Sequence, residues 1–381
     1  MNGAGSAAWD DVFMATALRL ADRGLGNTWP NPAVGCIVVR WRDGRPLVLA
    51  RGWTHPGGRP HAEAAALADL AQRHGPDAAR GAIVYVSLEP CSHHGRTPPC
   101  ADALVAAGVG RVVVACEDPD TRVSGRGIAR LREAGIEVVV GVREAEAVAL
   151  NAGFFSRVAA GRPRLTWKTA TSLDGRIATL DGHSQWITGA QARAHAHLQR
   201  ARHDAILVGL GTAVSDDPQL TCRLPGLAVR SPVRVVLDSH LRLPLTAGLV
   251  ADCARAPTWL IARDDNDPVR LRALRDLGIE VIEVPPAADR RLDFAAALQA
   301  LGERGLTRLL VEGGARVAAT LVAGNHIDEI LWYRAPKLIG GDGLSATLPF
   351  GLARLAAAPR FVRTGLRRLG EDWLETYSRL D

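Results

Sequence analysis

Four residues in the first third of the chain could together carry out metal-assisted hydrolysis. His61 and Glu63 are separated by one residue, and Cys91 and Cys100 follow further along the chain. Zinc prefers imidazole nitrogen and thiolate sulfur, and a catalytic zinc has three protein ligands and an open position for water. We therefore predict that His61, Cys91 and Cys100 bind Zn²⁺. Glu63 would carry a proton from water to a departing amine, as in zinc deaminases that act on nucleobases.

Two other interpretations of these residues stay open. The cysteines can be buried apolar residues, and a His-x-Glu sequence occurs by chance in many helices. The second alternative is a structural zinc site, in which His93 or His94 would supply a fourth protein ligand. Both histidines lie in the eight-residue stretch between Cys91 and Cys100, which we interpret as a substrate-facing insertion.

The predicted elements around these residues place them at helix and strand ends. An Ala- and Leu-rich run predicts a helix over 61–74, with Pro60 as a first-turn residue. The apolar run 82–88 predicts a buried strand that ends near the first cysteine. Thr97 and the two prolines after it predict the start of a helix over 101–107. Helix amides and a metal would favour the thiolate form of both cysteines.

Composition limits the class of protein. The 381 residues suit two domains, and 47% hydrophobic and 23% charged residues are ordinary for a globular protein. The net charge of +6 comes without a block of basic residues, so charge alone does not indicate nucleic-acid binding. Six scattered cysteines indicate a reducing compartment. Because the chain has neither a leader-like N-terminus nor a run of about 18 apolar residues, we expect a cytoplasmic protein without membrane contact.

Lysine is rare in this chain. All but two of the 46 basic residues are arginine, and the two lysines are Lys168 and Lys337. A lysine that is kept in such a sequence indicates a requirement for a compact ammonium group. For Lys337, chance is the preferred explanation.

Strands and helices alternate along two successive stretches, which predicts two α/β domains in series. The first domain, residues 1–150, is predicted to contain helices over 10–24, 61–74, 101–107 and 128–134 and strands over 34–40, 82–88, 111–116 and 137–140. A helical stretch then leads into a linker at 159–163. The second domain, residues 164–381, is predicted to contain strands over 164–170, 205–208, 233–237, 258–262, 280–284, 308–311 and 329–333 and helices over 190–201, 268–277, 293–304 and 315–323.

Three glycine-containing turns follow predicted strands of the second domain, at 171–175, 209–212 and 312–314. Glycine at such a turn lets the backbone approach phosphate, and a helix after Gly314 would direct free N–H groups at a pyrophosphate. The turns indicate a phosphate or dinucleotide ligand, although glycine after a strand is often only a turn residue. The absence of a G-x-G-x-x-G sequence disfavours an ordinary Rossmann domain.

Motifs spread along nearly the whole chain resemble one family, the bifunctional riboflavin-biosynthesis proteins that combine a pyrimidine deaminase with a pyrimidine reductase. The motifs, in family order, are NPAVGC (31–36), PHAEA (60–64), LEPCSHHGRTPPC (88–100), EDPD (117–120), TSLDGRIA (171–178), SQWITG (184–189), GTAVSDDPQLTCR (211–223), VEGG (311–314) and APKLIGG (335–341). The whole series is far more specific than any one motif.

The resemblance implies a fold and two activities. The first domain would have the three-layer fold of cytidine deaminases, and the second would resemble dihydrofolate reductase. A zinc-dependent deaminase would replace the 2-amino group of a phosphoribosylated diaminopyrimidinone by oxygen. An NADPH-dependent reductase would then convert the ribosyl group of the resulting 5-amino-6-(5-phosphoribosylamino)uracil to ribityl. The resemblance also implies a homo-oligomer.

The resemblance further implies roles for individual positions. NADPH contacts would fall on Ala170, Trp186, Thr212, Asp216, Ser239 and the turn that begins at Gly314. Substrate contacts would fall on Ser184, Arg200, Leu220, Arg223 and Glu312. Both arginines can bind a phosphate through two N–H groups, and Lys168 could polarise the substrate. From the residues alone, Trp186 would be a core aromatic residue, Asp216 a turn residue and Arg223 a surface cation.

Two competing functions are weaker. One is a deaminase of another base, free or in RNA, with a non-catalytic C-terminal binding module. The other is a zinc-stabilised nucleotide or nucleic-acid binder without activity. Proteins that bind polymeric nucleic acids usually present a basic surface with aromatic residues, and aromatic residues make up only 5% of this chain. We therefore expect a small phosphorylated pyrimidine as the substrate.

Overall fold

The computed structural model of the chain describes residues 3–93, 98–121 and 123–380, and the predicted features at His94 and Thr97 lie outside this part. The chain divides into two compact units, Met1–Gly161 and Arg162–Asp381. Each unit has its own sheet and its own buried core. Among the described residues, no helix combines the length and the apolar character needed to cross a lipid bilayer.

The first unit is built on a five-stranded mixed sheet. Its strands are β1 (Gly35–Arg42), β2 (Arg45–Trp53), β3 (Ile83–Val86), β4 (Arg111–Val114) and β5 (Glu137–Val140). Its helices are α1 (Gly3–Asp22), α2 (Ala62–His74), α3 (Cys100–Ala106), α4 (Arg126–Glu133), α5 (Glu144–Leu150) and α6 (Ala152–Ala160). The strand order is β2-β1-β3-β4-β5; β1 is antiparallel to both neighbours, and β3, β4 and β5 are parallel.

Two glycines allow helices to approach the two faces of this sheet closely. A Cβ atom at Gly35 would lie 1.9 Å from the carbonyl oxygen of Ala17 in α1. A Cβ atom at Gly52 would lie 2.1 Å from the carbonyl oxygen of Ala62 in α2. Gly52 pairs with Cys36 and therefore faces the same side of the sheet. Gly35 is the neighbour of Cys36 and faces the other side, because successive residues of a strand alternate between the two faces. Helices α1 and α2 therefore cover opposite faces, which gives the unit three layers.

A polar network fastens α1 to the sheet. The Asp10 carboxylate accepts a hydrogen bond from the Tyr85 hydroxyl (2.9 Å) and two from the Arg111 guanidinium (2.9 and 2.8 Å). Arg111 also donates to Glu137 of β5 over 2.8 Å. Asp10 is buried, and its two oxygens are both hydrogen-bonded, so its charge is compensated.

Several predicted features of the first unit are wrong. The helix predicted over 10–24 spans Gly3–Asp22, because the chain turns after Asp22. Pro60 lies outside α2, since His61 itself has an extended backbone (φ −68°, ψ 160°) and precedes the helix. The helical stretch before the linker is broken at Asn151, whose side chain bonds the N–H and C=O of Ala33, both at 2.9 Å. Strand β2 is not predicted at all.

The second unit is built on a nine-stranded, mostly parallel sheet. The strands of this sheet are β6 (Arg164–Thr171), β8 (Ala205–Gly209), β9 (Val233–Leu237), β10 (Thr258–Arg263), β11 (Glu280–Val284), β12 (Arg308–Val311), β13 (Glu329–Arg334), β15 (Phe361–Leu369) and β16 (Asp372–Arg379). The short strands β7 (Arg176–Ala178) and β14 (Leu344–Ser345) form a separate two-stranded sheet. The helices of the unit are α7 (Ala190–Ala201), α8 (Leu210–Asp216), α9 (Gly248–Ala251), α10 (Pro268–Asp276), α11 (Phe294–Glu303) and α12 (Ala315–Ala323).

Strand order explains where this unit can bind a ligand. The order is β11-β10-β9-β8-β12-β6-β13-β16-β15. The first seven strands in this order are parallel to one another, whereas β16 is antiparallel to both β13 and β15. Strands β7 and β14 pair only with each other. The chain moves from β6 past one position to β8 and later returns to insert β12 between them. Open parallel sheets bind ligands at the C-terminal ends of the strands where the order reverses. The segments that follow β6, β8 and β12 meet at this place.

The second unit contains elements that the sequence does not predict. Strands β9, β11 and β12 and helices α7 and α12 have the predicted bounds. The turn predicted at 209–212 is wrong beyond Gly209, because helix α8 begins at Leu210. The hairpin of β15 and β16 is missing from the prediction, because β15 is an edge strand that is exposed on both faces and shows no alternation of apolar and polar residues.

Candidate active sites

His61, Cys91 and Cys100 converge at one point in the first unit. The Nδ1 atom of His61 lies 3.6 Å from Cys91 Sγ and 3.4 Å from Cys100 Sγ. In a tetrahedral zinc site the nitrogen and sulfur ligands are about 3.5 Å apart, so these separations fit zinc. Among the described residues, these three form the only group that could hold a metal ion, and His93 is exposed. Three ligands are the number typical of a catalytic zinc.

Helix starts and a strand end position the three ligands. His61 directly precedes α2, and Cys100 is the first residue of α3. Cys91 lies in the segment that connects β3 to α3. The backbone N–H of Cys100 donates to Cys91 Sγ over 3.3 Å. Hydrogen bonds from the Cys100 thiol and from His61 lower the pKa of Cys91 to about 4. The surroundings of Cys91 therefore favour the thiolate that a metal requires.

Glu63 lies buried beside these ligands, in the first turn of α2. Burial raises the pKa of Glu63 to about 7, and the neighbouring Cys91 adds to this rise. A carboxyl group with a pKa near neutral pH can both accept and donate a proton. Its position and its surroundings suit a proton carrier.

Glu89 is a buried residue of this site that sequence reasoning missed. Its carboxylate accepts hydrogen bonds of 2.8–3.2 Å from the backbone N–H groups of Asp118, Gly125, Gly127 and Ile128. These bonds hold the start of α4 against the segment that carries Cys91, and a Cβ atom at Gly127 would lie 1.9 Å from the carbonyl oxygen of Pro90. The signal in the sequence was an acidic residue at the end of a buried apolar run.

In the second unit, Lys168, Arg200 and Glu312 form a largely buried ion network at the C-terminal edge of the sheet. Arg200 donates to the two carboxylate oxygens of Glu312 through Nε (3.0 Å) and Nη2 (3.1 Å). Its Nη1 donates to the carbonyl oxygen of Thr221 (3.1 Å), and Lys168 Nζ lies 3.5 Å from Glu312. Burial raises the pKa of Glu312, but its attraction to Arg200 and Lys168 outweighs burial and holds the pKa well below the usual range.

The glycine turns of this unit serve two different purposes. Cβ atoms at Gly209 and Gly313 would lie only 2.9 and 2.8 Å from side-chain atoms of Val317, so these two glycines allow α12 to pack closely. Gly314 precedes α12, whose first turn has no side-chain cap, and its Cβ position is 3.5 Å from the Thr212 hydroxyl. Because no side chain caps them, the backbone N–H groups at the start of α12 can bind an anionic ligand.

The other predicted contact residues of the reductase differ in exposure. Ser184, Trp186, Asp216 and Arg223 are exposed, Ala170, Thr212 and Ser239 are half-buried, and Leu220 is buried. The alternative of a core aromatic is wrong for Trp186, which is 60% exposed and has the Arg193 guanidinium 4.5 Å from its ring. Arg223 donates to the side chain of Gln219, and Asp216 accepts from Ser215, its neighbour in sequence. Among the predicted contact residues, two groups lie close together. Lys168, Arg200 and Glu312 form the first group, and Thr212 and Gly314 form the second.

The fold and these sites define a zinc-dependent deaminase domain joined to a reductase domain. Residues 7–116 match the cytidine and deoxycytidylate deaminase zinc-binding region, and residues 163–374 match the RibD C-terminal domain. The riboflavin biosynthesis protein RibD of Escherichia coli is 41% identical over 375 residues, which cover 95% of this chain and 97% of that protein. The RibD of Aquifex aeolicus is 39% identical and covers 97% of this chain and 98% of its own length. The chain belongs to the RibD family.

Solved structures agree with this assignment. A structure of Acinetobacter baumannii RibD aligns with a TM-score of 0.84 at 36% identity and covers 98% of this chain and 100% of that one. A diaminohydroxyphosphoribosylaminopyrimidine deaminase/5-amino-6-(5-phosphoribosylamino)uracil reductase of Thermotoga maritima aligns with a TM-score of 0.83 at 34% identity, again over 98% and 100% of the two chains. The predicted family and fold class are confirmed.

Proposed function

We propose that this chain catalyses two consecutive steps of riboflavin biosynthesis. The first unit hydrolyses the 2-amino group of 2,5-diamino-6-(5-phosphoribosylamino)pyrimidin-4-one and releases ammonia. The second unit reduces the ribosyl group of the product, 5-amino-6-(5-phosphoribosylamino)uracil, to ribityl with NADPH. The observation that carries the proposal is the convergence of His61, Cys91 and Cys100 beside the buried Glu63, in a chain that also has a RibD C-terminal domain.

The ligand set of the first unit fits zinc. One imidazole nitrogen and two sulfur atoms, at the observed separations, match three corners of a tetrahedral site. His61, Cys91 and Cys100 would hold the ion. When bound, zinc supplies a Lewis acid that makes water nucleophilic near neutral pH.

Glu63 moves the protons of the deamination. Its carboxylate accepts a proton from water as the water oxygen forms a bond to C2 of the pyrimidine. The same group then delivers a proton to the exocyclic nitrogen, whose bond to C2 breaks. One water molecule is consumed, one ammonia molecule is released, and the pyrimidine is neither oxidised nor reduced.

The reductase reaction belongs to the C-terminal edge of the sheet in the second unit. When bound, NADPH would supply the hydride that forms a C–H bond at C1′ of the ribosyl group. The C1′–O4′ bond of the sugar ring breaks in this reduction, and the released oxygen takes up a proton from water. The residues assigned to NADPH are Ala170, Trp186, Thr212, Asp216, Ser239 and Gly314, and those assigned to the pyrimidine substrate are Lys168, Ser184, Arg200, Leu220, Arg223 and Glu312. Because Glu312 already occupies two N–H groups of Arg200, the exposed Arg223 is the better placed of the two arginines to bind the substrate phosphate.

The proposal extends to the organisation of the protein. Residues 1–150 carry the deaminase, and residues 164–381 carry the reductase. The protein acts in the cytoplasm as a homo-oligomer on a small phosphorylated pyrimidine. None of the six cysteines forms a disulfide bond, which supports a reducing compartment. Sedimentation of the purified protein measures the oligomeric state.

Replacing Glu63 tests the deaminase assignment. Glu63→Gln keeps the size of the side chain but removes its ability to carry protons. We expect ammonia release from the diaminopyrimidine to fall by about 10²- to 10⁴-fold, the usual contribution of a general acid/base. Zinc content, measured by metal analysis, should stay the same, because Glu63 is not a ligand in this scheme.

Two controls belong to this experiment. Glu133→Gln removes an exposed carboxylate of α4 from the same unit and should release ammonia at the normal rate. NADPH oxidation with the deaminated intermediate should also be normal in Glu63→Gln, because that reaction is assigned to the other unit. Full ammonia release by Glu63→Gln would refute the role of Glu63, and wild-type protein that oxidises no NADPH would refute the reductase assignment.

A further inference from the structure

Three segments meet at the C-terminal edge of the large sheet, and Lys337 touches two of them. The first is the turn after β6, the second is the 179–189 segment before α7, and the third is the 335–343 segment after β13. The N–H of Ala335 donates to the carbonyl oxygen of Thr171 (2.8 Å), and the N–H of Leu173 donates to that of Lys337 (2.7 Å). The backbone of Lys337 is therefore held against the turn after β6.

Asp174 binds the third segment just after Lys337. Its carboxylate accepts hydrogen bonds from the backbone N–H groups of Gly340 (2.7 Å) and Ile339 (3.2 Å). The Ser172 hydroxyl donates to one of the same oxygens. The backbone of the 337–340 segment is thus fixed to the turn at several points, and the Lys337 side chain extends from a rigid base.

The Lys337 side chain fastens the second segment. Its Nζ atom donates to the backbone carbonyl oxygen of Trp186 over 2.8 Å, although the two residues are 151 positions apart in the chain. The Arg193 guanidinium lies 4.5 Å from the centre of the Trp186 ring. Lys337 thereby holds the backbone of Trp186, and Arg193 holds its ring by a cation–π interaction.

Trp186 is an unusual residue to hold in this way, because its indole is 60% exposed. An exposed aromatic ring that is held by one cation–π contact, on a backbone that is held by Lys337, offers a flat apolar surface on which a planar ligand can stack. The chain that follows the third segment reaches α12, since the N–H of Leu348 donates to the carbonyl oxygen of Ala315 (3.0 Å). Trp186 and the first turn of α12 are therefore linked to one continuous segment of chain.

We propose that Lys337 is a positioning residue of the reductase, which fixes the Trp186 segment in the conformation that NADPH binds. This inference rests on the proposed function of the second unit. A lysine suits the task because its compact ammonium, on a flexible stem, reaches a single carbonyl oxygen. Its retention in a chain that otherwise uses arginine then has a structural reason, and chance is no longer needed as an explanation.

Three variants of the full chain test the proposal by steady-state kinetics of NADPH oxidation. Lys337→Met should raise the KM for NADPH by about tenfold, as expected for the loss of one charge-assisted hydrogen bond, with little change in kcat. Lys337→Arg keeps a charged donor but replaces the compact ammonium by a planar guanidinium, so it should recover only part of this loss. The matched control, Arg272→Met, removes an exposed cation from α10 of the same unit and should behave as wild type. Ammonia release should be the same in all variants.

A second measurement does not depend on activity. In Lys337→Met, backbone amides of residues 179–189 should exchange with deuterium faster than in wild type and in Arg272→Met. Unchanged exchange, or an unchanged KM for NADPH, would overturn the positioning role. A raised KM for the pyrimidine alone would overturn the assignment to the cofactor. If wild-type protein oxidised no NADPH, the proposed reductase function would fail, and hydrogen exchange would still decide whether Lys337 fixes the Trp186 segment.

Discussion

Glu312 illustrates how a single buried charge can serve both stability and function. Its carboxylate has little contact with solvent and is compensated by Arg200 and Lys168, which come from different elements of the second unit. A buried carboxylate that loses such partners would have to be protonated or would destabilise the fold. The three residues therefore form a rigid charged group at the edge of the sheet where the substrate is proposed to bind.

Removing the charge of Glu312 should destabilise the second unit in a pH-dependent way. Glu312→Gln leaves Arg200 and Lys168 without their anion, and we expect a loss of about 3 kcal/mol in the free energy of unfolding at pH 7. The pKa of Glu312 is lower in the folded protein than its ordinary value of 4.5, so its stabilisation is complete above about pH 4.5 and decreases progressively as the pH falls towards the lower pKa of the folded state. The difference between wild type and variant should therefore shrink from pH 5 to pH 3.

Urea denaturation followed by circular dichroism measures this difference. Glu283→Gln is the control, because Glu283 forms an exposed ion pair with Arg275 (2.9 Å) in the same unit. Exposed pairs contribute little, so the control should lose less than about 1 kcal/mol. A difference for Glu312→Gln that stayed constant between pH 7 and pH 3 would contradict the ion-network interpretation.

At the residue scale, the sequence predicts metal ligands better than it predicts contacts. His61, Cys91 and Cys100 could be identified because metal ligands come from few residue types. The ion pair of Lys168 with Glu312 could not be predicted, since it depends on which strands become neighbours in the sheet. Apart from its rarity and its place in the APKLIGG motif, Lys337 gave no signal of its partner, because that partner is a backbone carbonyl group that any residue could supply.

At the element scale, buried strands were predicted correctly and exposed edge strands were missed. Strands β9, β11 and β12 were predictable because each is an apolar run with turn residues around it. Strands β2 and β15 lie at sheet edges, and their residues are largely exposed or only half-buried. What makes them strands is pairing with a neighbour, which is a tertiary interaction that local sequence does not encode.

The close approach of α2 to β2 gives a prediction at this scale. Gly52→Ala would place a carbon atom 2.1 Å from the carbonyl oxygen of Ala62, so the start of α2 must move. His61 and Glu63 lie at that end of the helix. We expect about 1–3 kcal/mol of destabilisation, the usual cost of overpacking, together with weaker zinc binding and slower ammonia release.

Zinc retained after dialysis, together with ammonia release, checks this effect. The matched control is Gly110→Ala, in which the added carbon atom has no close neighbour nearer than 3.3 Å. That variant should retain zinc as wild type does. If Gly52→Ala also retained zinc and full ammonia release, the start of α2 would tolerate displacement and the packing argument would be wrong.

At the scale of the whole molecule, the two candidate sites are built from separate parts of the chain. The three zinc ligands lie in the unit Met1–Gly161, and every residue assigned to the reductase lies in Arg162–Asp381. The family, the fold class and the zinc and NADPH cofactors were all predictable, because motifs of both activities occur along the chain. The positions of individual reductase contacts stay predictions.

Removal of zinc should therefore separate the two activities. After dialysis against a chelator, ammonia release should disappear, whereas NADPH oxidation with the deaminated intermediate should continue. Ammonia release should return when zinc is added back, which serves as the control for irreversible damage. Parallel loss of both activities on chelation would mean that the second unit depends on the metal site of the first.

The scarcity of lysine gives the protein a useful chemical property. It has two side-chain amines; that of Lys168 is largely buried and paired with Glu312, whereas Lys337 is exposed. Amine-reactive dyes should therefore label side chains almost entirely at Lys337. Acylation of Lys337 would remove its charge and break the hydrogen bond to the Trp186 carbonyl oxygen. The rate of labelling should therefore report how often that bond is open, and bound NADPH should slow the labelling.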